Sequence, residues 1–244
     1  MALVAFDNVS KNFQLHGGQM LVREHLAHLF SGRKKERFHA LKHVSFQVHP
    51  GESLAVIGAN GAGKSTLLSM IAGLSKPDEG TVTVNGSVAA MLELGSGFHP
   101  DLTGAENVRL NALLLGLPRK KTNDLYDEIV EFSGIGDFIS EPLRTYSSGM
   151  MMRLAFAVAI NVNPSILLID EILAVGDAAF QTKCLDRIHQ FRRAGKTLIC
   201  VSHIPVMLQE LCDRAIWLDH GELMMTGSLL EVMETYAGRR TPAM

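Results

Sequence analysis

Apolar positions along the chain switch between strand-like and helix-like spacing, which predicts a mixed α/β protein. Short runs of apolar and β-branched residues predict strands at 3–9, 44–48 and 54–57. The third strand enters a glycine-rich turn, and a helix over 65–73 follows because apolar residues then recur at helical spacing. The first part of the chain therefore predicts strands followed by a loop and a helix.

A further strand-like stretch precedes a mostly helical block at 104–160, after which strand patterns return. Asn85-Gly86 favours a tight hairpin turn within the strand-like residues 81–94. The later alternation of strand and helix patterns is typical of a parallel sheet with crossover helices. The predicted elements are helices at 106–115, 121–133, 150–160, 177–193 and 228–237, and strands at 166–169, 198–201, 215–218 and 222–225.

Composition places the chain among globular proteins and excludes some classes. Of its 244 residues, 47% are hydrophobic and 20% charged, and the net charge of -2 argues against a dedicated nucleic-acid binder. The three cysteines form no CxxC pair, so neither a disulfide framework nor a zinc cluster is indicated. The sequence lacks a secretory signal and an apolar run of the roughly 20 residues that span a bilayer, which predicts an intracellular protein.

Residues 14–39 interrupt the regular pattern between two predicted strands. This stretch contains Gly17-Gly18, four histidines and the basic run 33–37. We interpret it as an insertion. It is either a solvated loop or a contact surface for a partner or for anionic lipid headgroups, and the sequence leaves both open.

A phosphate-binding pattern, GxxxxGK[ST], lies between the strand at 54–57 and the helix after it. Glycines let backbone N–H groups curl around phosphates, and the helix N-terminus adds partial positive charge. Lys64 is expected to reach the β- and γ-phosphates, and Ser65 to offer its hydroxyl to Mg²⁺. A glycine-rich turn with a chance Lys-Ser pair is the alternative, which the strand–loop–helix context disfavours. The predicted binding residues are Gly58, Asn60, Gly61, Ala62, Gly63, Lys64, Ser65 and Thr66.

Two carboxylates, Asp170 and Glu171, end a strand that is predicted to be buried. Carboxylates at the C-terminal edge of a parallel sheet face its ligand crevice. Asp170 can hold Mg²⁺ directly or through water, and Glu171 can polarise a water for in-line attack on a γ-phosphate. An acidic pair can also simply end a strand, but the phosphate-binding pattern favours the catalytic interpretation.

Two further segments complete a series of motifs. Ser147 and Gly149 begin a predicted helix, where anions are favoured, although a simple N-cap is the common alternative. His203 follows a predicted strand, where a histidine without a function is also common. In their order along the chain, the phosphate loop, the Ser147 segment, the Asp170-Glu171 pair and Ser202-His203 resemble the ATP-binding subunits of ABC transporters. The resemblance covers 3–237.

The resemblance implies a fold and a domain organisation. The expected fold class is α/β, a P-loop NTPase (RecA-like) with a mixed sheet core, an N-terminal antiparallel β part and an inserted helical subdomain. A single domain over 1–244 is expected, with no appended carbohydrate-binding domain. The expected parts are a core with the β part at 1–94 and 161–227, the inserted loop at 14–39, the helical subdomain at 95–160 and a C-terminal helix and tail at 228–244.

The resemblance also implies roles for residues. Two subunits would face each other head to tail, so that Ser147 and Gly149 of one contact the γ-phosphate of ATP held by the other. Glu171 and His203 would be catalytic, with His203 contacting the γ-phosphate within its own subunit. Asp177 matches the segment that links the two sites. The implied cofactors are ATP and Mg²⁺, the latter held by Ser65 and Asp170.

Two segments depart from the common family pattern. Tyr146, Ser148 and Met150 occupy three of the five places of the usual Leu-Ser-Gly-Gly-Gln signature. This segment, together with 92–107, resembles the branch that exports bacterial surface polysaccharides such as O antigens, capsules and teichoic acids. The insertion at 14–39 is similar to an extended loop of that branch.

Two nucleotide contacts stay open at the level of sequence. The usual glutamine between the phosphate loop and the helical block is absent, and Glu93 is its nearest replacement, unless it is a loop carboxylate without nucleotide contact. The adenine usually stacks on an aromatic residue after the first strand, which suggests Phe13. Phe38 is the rival because the insertion blurs the register, and either ring could instead belong to the core.

The function implied by the resemblance is a Mg²⁺-dependent transport ATPase acting as a homodimer. It would work on two copies of a transmembrane permease, at the cytoplasmic side of the inner membrane, and bind no nucleic acid. It would power export of a lipid-linked polysaccharide that the permease mainly handles. The alternatives are an ATPase for a different small-molecule or lipid substrate, a soluble ABC-type ATPase of translation or DNA maintenance, and a nucleotide-binding scaffold without turnover.

Overall fold

The computed structural model describes residues 1–14, 37–91, 95, 97–170, 176–202 and 204–240. Within these ranges the chain forms two β-sheets with helices packed around them. The strands are β1 (Val4–Gln14), β2 (Arg37–Val48), β3 (Ser53–Ile57), β4 (Glu79–Val84), β5 (Val88–Ala90), β6 (Ile166–Asp170), β7 (Thr197–Val201), β8 (Arg214–Asp219) and β9 (Glu222–Ser228). The helices are α1 (Lys64–Ile71), α2 (Gly104–Leu114), α3 (Arg119–Ser133), α4 (Ser148–Asn161), α5 (Ala178–Arg193), α6 (Pro205–Leu211) and α7 (Leu229–Arg240), with 3₁₀ turns at Gly136–Ser140 and Leu143–Thr145.

The larger sheet has the strand order β5-β6-β7-β3-β8-β9, and all neighbouring pairs are parallel except β8 with β9. Its central strands β3 and β7 are buried along their whole length, as expected for parallel strands covered on both faces. Strands β3 and β6 run in the same direction, so their carboxyl ends meet one edge of the sheet. The phosphate loop, which follows β3, and Asp170, which ends β6, therefore lie at the same edge of the sheet.

The smaller sheet is antiparallel, with the order β2-β1-β4. Its inner face, including Phe6 stacked on Phe46 at 4.7 Å between ring centroids, packs with Leu67 of α1 and Leu54 of β3 in one apolar core. A second core on the other face of the large sheet includes Phe156 of α4 and Phe180 of α5. The large sheet is therefore covered on both faces by apolar side chains.

The predicted hairpin at Asn85-Gly86 is wrong. Strand β4 belongs to the antiparallel sheet, whereas β5 pairs in parallel with β6, so the chain crosses between sheets at this point. A Cβ added at Gly86 would lie 2.8 Å from the Cβ of Ser165. The glycine thus allows two segments to approach closely. A tight hairpin turn also favours glycine, so the sequence pattern alone does not distinguish the two cases.

The ends of the predicted insertion also change. Gln14 is the last residue of β1, and residues 37–39 belong to β2 rather than to a loop. The remaining part of the predicted insertion, 15–36, lies outside the described residues. Helix α6 has no counterpart in the sequence prediction. Among the described residues, no helix has both the length and the apolar character needed to cross a bilayer.

Candidate functional site

The phosphate loop connects the end of β3 to the start of α1. Gly63 caps α1 with a left-handed backbone, φ +105°, and a Cβ there would lie 2.4 Å from the carbonyl oxygen of Ala40. A Cβ at Gly58 would lie 2.3 Å from the carbonyl oxygen of Leu218. The two glycines therefore let the loop pass between β2 and β8, and side chains at either position would displace it.

Lys64 is the first residue of α1 and is only 8% exposed. Its ammonium donates hydrogen bonds to the carbonyl oxygens of Gly58 at 2.8 Å and Ala59 at 3.0 Å. The side chain is thus folded back along the curl of the loop. This arrangement holds a buried positive charge beside the backbone N–H groups that open α1, which together favour an anion.

A cavity of about 320 Å³ brings six of the eight predicted phosphate-binding residues together with Asp170; Gly58 and Ala62 are not among the described residues that line it. Asp170, the last residue of β6, is half-buried. Because β6 and β3 end at the same sheet edge, its carboxylate faces the loop that follows β3. The cavity is lined by Phe38, Ala40, Asn60, Gly61, Gly63, Lys64, Ser65, Thr66 and Asp170.

The two aromatic candidates for adenine stacking are cross-strand partners. Phe13 of β1 pairs with Phe38 of β2, and both side chains are 45% exposed, which rules out a core role for either. Phe38 lines the cavity, whereas Phe13 is absent from its lining as far as the described residues define it. The ammonium of Lys11 lies 5.7 Å from the centre of the Phe13 ring.

The Ser147 segment forms the start of α4, as the sequence predicts. Ser147 is the N-cap, and its Oγ accepts a hydrogen bond from the backbone N–H of Met150 at 3.2 Å. Ser147 is exposed and Gly149 is half-buried. In the described part of the chain, neither residue lines the cavity around the phosphate loop of the same molecule.

The two segments that depart from the family pattern pack against each other. Tyr146 is buried and donates a hydrogen bond to the carbonyl oxygen of Phe138 at 2.6 Å, and burial raises the pKa of its phenol. A Cβ added at Gly104, the first residue of α2, would lie 2.2 Å from the Tyr146 hydroxyl oxygen. Tyrosine at 146 and glycine at 104 are thus a matched pair.

Asn107 and Thr103 fix the loop that leads into α2. Asn107 is fully buried, and its side chain bonds the backbone of His99, Leu102 and Thr103. Thr103 and Glu106 form a capping box, which lowers the pKa of Glu106 because that carboxylate accepts hydrogen bonds from Thr103. The 92–107 motif therefore includes a structural brace for the helical part of the chain.

Asp177 joins the start of α5 to α4. Its carboxylate caps α5 by accepting from the backbone N–H of Phe180 at 2.9 Å, and it binds the guanidinium of Arg153 at 2.7 Å. The pKa of Asp177 is lowered, first by the Phe180 hydrogen bond and then by Arg153. Arg153 also lies over the Phe180 ring, 5.1 Å from its centre. Sequence reasoning missed Arg153, whose only signal was its place one turn into the helix after Ser147.

Three predicted site residues, Glu93, Glu171 and His203, lie outside the described residues. For Glu171 and His203 the preceding residues are described: Asp170 ends β6, and Ser202 directly follows β7. Since β6 and β7 are parallel neighbours, both chain positions lie at the sheet edge that carries the phosphate loop. The roles of the three residues stay predictions.

Comparison with known proteins identifies the family. The family model described as ABC transporter matches residues 41–174, which is more than half of the chain. The chain belongs to the ABC transporter family. Among curated relatives, it is 47% identical to the O-antigen export system ATP-binding protein RfbB of Klebsiella pneumoniae over 96% of this chain and 97% of that protein. It is 42% identical to the teichoic acids export ATP-binding protein TagH of Listeria monocytogenes over 96% of this chain and 69% of that protein.

Solved structures confirm the fold class of this ABC family member. One is the ATP-binding cassette MJ0796 in a dimeric, post-hydrolysis state bound to ADP and Pi, at 23% identity and a TM-score of 0.73 over 93% of this chain and 98% of that one. Another is an ATP-binding subunit of an ABC transporter, at 23% identity and a TM-score of 0.76 over 98% of this chain and 95% of that one. The expected P-loop NTPase fold with a mixed sheet is confirmed.

Proposed function

We propose that this chain is the ATP-hydrolysing subunit of an ABC transporter that exports a lipid-linked cell-surface polysaccharide, such as an O antigen or a capsule. The observation that carries the proposal is the 47% identity to an O-antigen export ATP-binding protein across nearly the whole of both chains. Transport of a different small molecule or lipid would use the same ATPase residues. The matched pair Tyr146 and Gly104 lies in the two segments that favour the polysaccharide branch.

ATP would bind with its phosphates in the cavity between the phosphate loop and Asp170. Backbone N–H groups of the loop and the start of α1 would receive the phosphate oxygens, and Lys64 would exchange its bonds to Gly58 and Ala59 for bonds to the β- and γ-phosphates. Phe38, which is half-exposed at the edge of the cavity, would stack on the adenine. This assignment prefers Phe38 to Phe13.

The same cavity offers oxygen ligands for Mg²⁺. The Ser65 hydroxyl and the Asp170 carboxylate both line it, and Mg²⁺ is commonly held by one or two such protein oxygens together with substrate phosphates. Bound Mg²⁺ would neutralise charge on the phosphates. Glu171, next to Asp170 in sequence, would orient and polarise the attacking water, and His203 would contact the γ-phosphate.

A second copy of the chain would complete each site. Ser147 and Gly149 lie at the start of α4, and neither is among the described residues that line the cavity of its own molecule. Both would therefore be available to the γ-phosphate bound by a partner. ATP would then hold two copies together head to tail, and phosphate release would let them separate. A solved cassette with the same fold is a dimer, which supports the pairing of two copies.

The membrane partner would dock on an apolar groove between the large sheet and the helical region. The groove has a volume of about 560 Å³, and its lining includes Val88, Leu115 and Val158. Leu74 and Leu114, which line the groove, are 68% and 65% exposed. Exposed apolar side chains that cluster in this way are typical of a site for a partner. We propose that each of two permease copies places a short helix in the groove of one copy of the chain. This contact would hold the chain at the cytoplasmic face of the inner membrane.

Replacing Glu171 by Gln tests the catalytic assignment. The variant is expected to bind ATP and to dimerise but to hydrolyse ATP very slowly, because an amide cannot accept the proton of the attacking water. Turnover is measured as phosphate release, and dimerisation by size-exclusion chromatography with and without ATP. Turnover equal to that of the unaltered chain would refute the role of Glu171.

Export is tested separately with the reconstituted permease. ATP hydrolysis is expected to rise when both the permease and its lipid-linked glycan are present in the vesicles. Stimulation by an unrelated lipid or small molecule, and not by the glycan, would favour the alternative substrate class.

A further inference from the structure

We propose that Gly221, in the turn between β8 and β9, is a positioning residue that holds the phosphate loop against β2. Its backbone N–H donates to the carbonyl oxygen of Ala62 at 3.1 Å, and its carbonyl oxygen accepts from the N–H of Lys42 at 2.8 Å. Ala62 lies in the phosphate loop. One buried residue, distant in sequence from both partners, therefore connects the loop to β2.

An irregularity in β2 supplies the donor for this connection. The pairing of β1 with β2 shifts between Val9 and Lys11, and His43 has a left-handed backbone with φ +49°. At such a bulge a residue turns its backbone away from the partner strand. Here Lys42, next to the irregularity, donates its N–H to Gly221, a contact outside the antiparallel sheet.

Position 221 requires glycine for two separate reasons. Its φ is +83°, a conformation that other residues adopt at a cost. In addition, a Cβ there would lie 2.9 Å from the carbonyl oxygen and 3.1 Å from the carbonyl carbon of Ala40. The backbone of Ala40 also packs closely against the phosphate loop, because its carbonyl oxygen lies 2.4 Å from where a Cβ on Gly63 would be.

These contacts give a route from the turn to the nucleotide. A side chain at 221 would push on the Ala40 backbone and weaken the hydrogen bond from the Gly221 N–H to Ala62. Ala62 belongs to the loop that curls around the phosphates, and Ala40 packs against that loop. The ion pair of Lys42 with Glu222, 3.0 Å between the charged atoms, ties the same two strands, but its exposed position makes it a minor contributor. Gly221 is expected to act on affinity for phosphate without touching it.

The experiment compares Gly221→Ala with Gly195→Ala in the full chain. Gly195 has a similar φ of +72°, but a Cβ there would meet no atom within 4 Å among the described residues, and the turn precedes β7 at the opposite sheet edge. Both variants carry the same backbone strain. We expect Gly221→Ala to raise the dissociation constant for MgADP, measured by calorimetry, by about tenfold or more, and Gly195→Ala to change it less than about twofold.

The outcomes distinguish this inference from a general loss of stability. They also distinguish it from the proposed function, on which the choice of MgADP as the ligand rests. MgADP affinity within about twofold of the unaltered chain in folded Gly221→Ala would overturn the inference, as would an equal loss in both variants. Failure of the unaltered chain to bind MgADP would overturn the proposed function as well.

Hydrogen exchange in the unaltered chain decides the matter if Gly221→Ala does not fold. Saturating MgADP is expected to slow exchange of the amides at 219–222, because the Gly221 N–H is bonded to the loop that the nucleotide orders. Amides around Gly195 serve as the control and are expected to keep their rates. Unchanged exchange at 219–222 would overturn the inference.

Discussion

Phe13 and Phe38 are the two candidates for stacking on the adenine, and the structure distinguishes them only by the cavity. They face each other across β1 and β2 with equal exposure, so composition and burial do not separate them. Only the cavity lined by the phosphate loop does, because Phe38 borders it. The cavity, which the sequence does not reveal, is therefore the observation on which the proposed stacking role of Phe38 depends.

Replacing Phe38 by Ala is expected to weaken ATP binding by about 5- to 150-fold, which corresponds to the ~1–3 kcal/mol that base stacking contributes. Phe13→Ala is the matched control, since it removes a ring of the same exposure that is not among the described residues lining the cavity. Affinity is measured by titration with a fluorescent ATP analogue. A larger loss in Phe13→Ala than in Phe38→Ala would reverse the assignment.

Asp177 gives a prediction about pH. Its pKa is lowered in the folded state by the Phe180 N–H and by Arg153, so its contribution to stability is present above the pKa of the unfolded chain, near 4. That contribution is lost as the pH falls through the lower, folded pKa. Asp177→Asn should therefore lower the melting temperature at pH 7 and differ progressively less from the unaltered chain as the pH falls below about 4.

Asp124→Asn provides the control for this titration, because Asp124 is an exposed aspartate on α3. Thermal unfolding at several pH values, followed by circular dichroism, measures both variants. A difference between Asp177→Asn and the unaltered chain that stays constant down to pH values well below 4 would show that the carboxylate charge is not responsible.

At the scale of elements, the start of α2 and the segment before α4 have to fit together. Gly104 begins α2 directly against the Tyr146 hydroxyl, which in turn bonds the Phe138 carbonyl in the 3₁₀ turn between α3 and α4. These elements are far apart in the chain but share one contact. The contact lies directly before the N-cap of α4, because Tyr146 precedes Ser147.

Gly104→Ala is expected to destabilise the fold by about 1–3 kcal/mol, because the added methyl group overlaps the Tyr146 hydroxyl. Tyr146→Phe alone should cost about 1 kcal/mol through loss of its hydrogen bond. The double variant should be less destabilised than the sum, because the second change removes the overlapping atom. Chemical denaturation measures all four proteins, and strict additivity would contradict the contact.

At the scale of the whole molecule, the parallel sheet gathers the phosphate loop, Asp170 and the ends of β6 and β7 on one edge, whereas the exposed Ser147 is not among the described residues that line that cavity. A single chain thus presents two separate half-surfaces. This geometry supports a site shared between two copies, in which each copy contributes both halves to different sites.

Mixed dimers test this sharing. In a pair of Lys64→Ala chains, or a pair of Ser147→Ala chains, both sites would be defective, so ATP is not expected to hold the two copies together. A mixed pair would contain one intact composite site. ATP-dependent dimerisation is expected to reappear on mixing. Mixtures that capture no more ATP than the separate variants would rule out the head-to-tail site.

Local sequence determined the parts of this protein that depend on residue order alone. The phosphate loop, the N-cap at Ser147 and most helices and strands follow from glycine conformation, capping side chains and apolar periodicity. These features require only neighbours within a turn or two of the chain, which is why they could be predicted. Family membership follows from the order of the motifs, and the comparisons confirm it.

Tertiary structure alone decided which distant segments meet. The crossing from β4 to β5, the partner of Gly104, the choice of Phe38 and the bond from Gly221 to the phosphate loop each join residues that no local pattern relates. Glycine illustrates the reason: a tight turn and a close approach of two backbones both require the absence of a Cβ. Sequence records that requirement, but only the packed chain shows which atom the missing Cβ would have met.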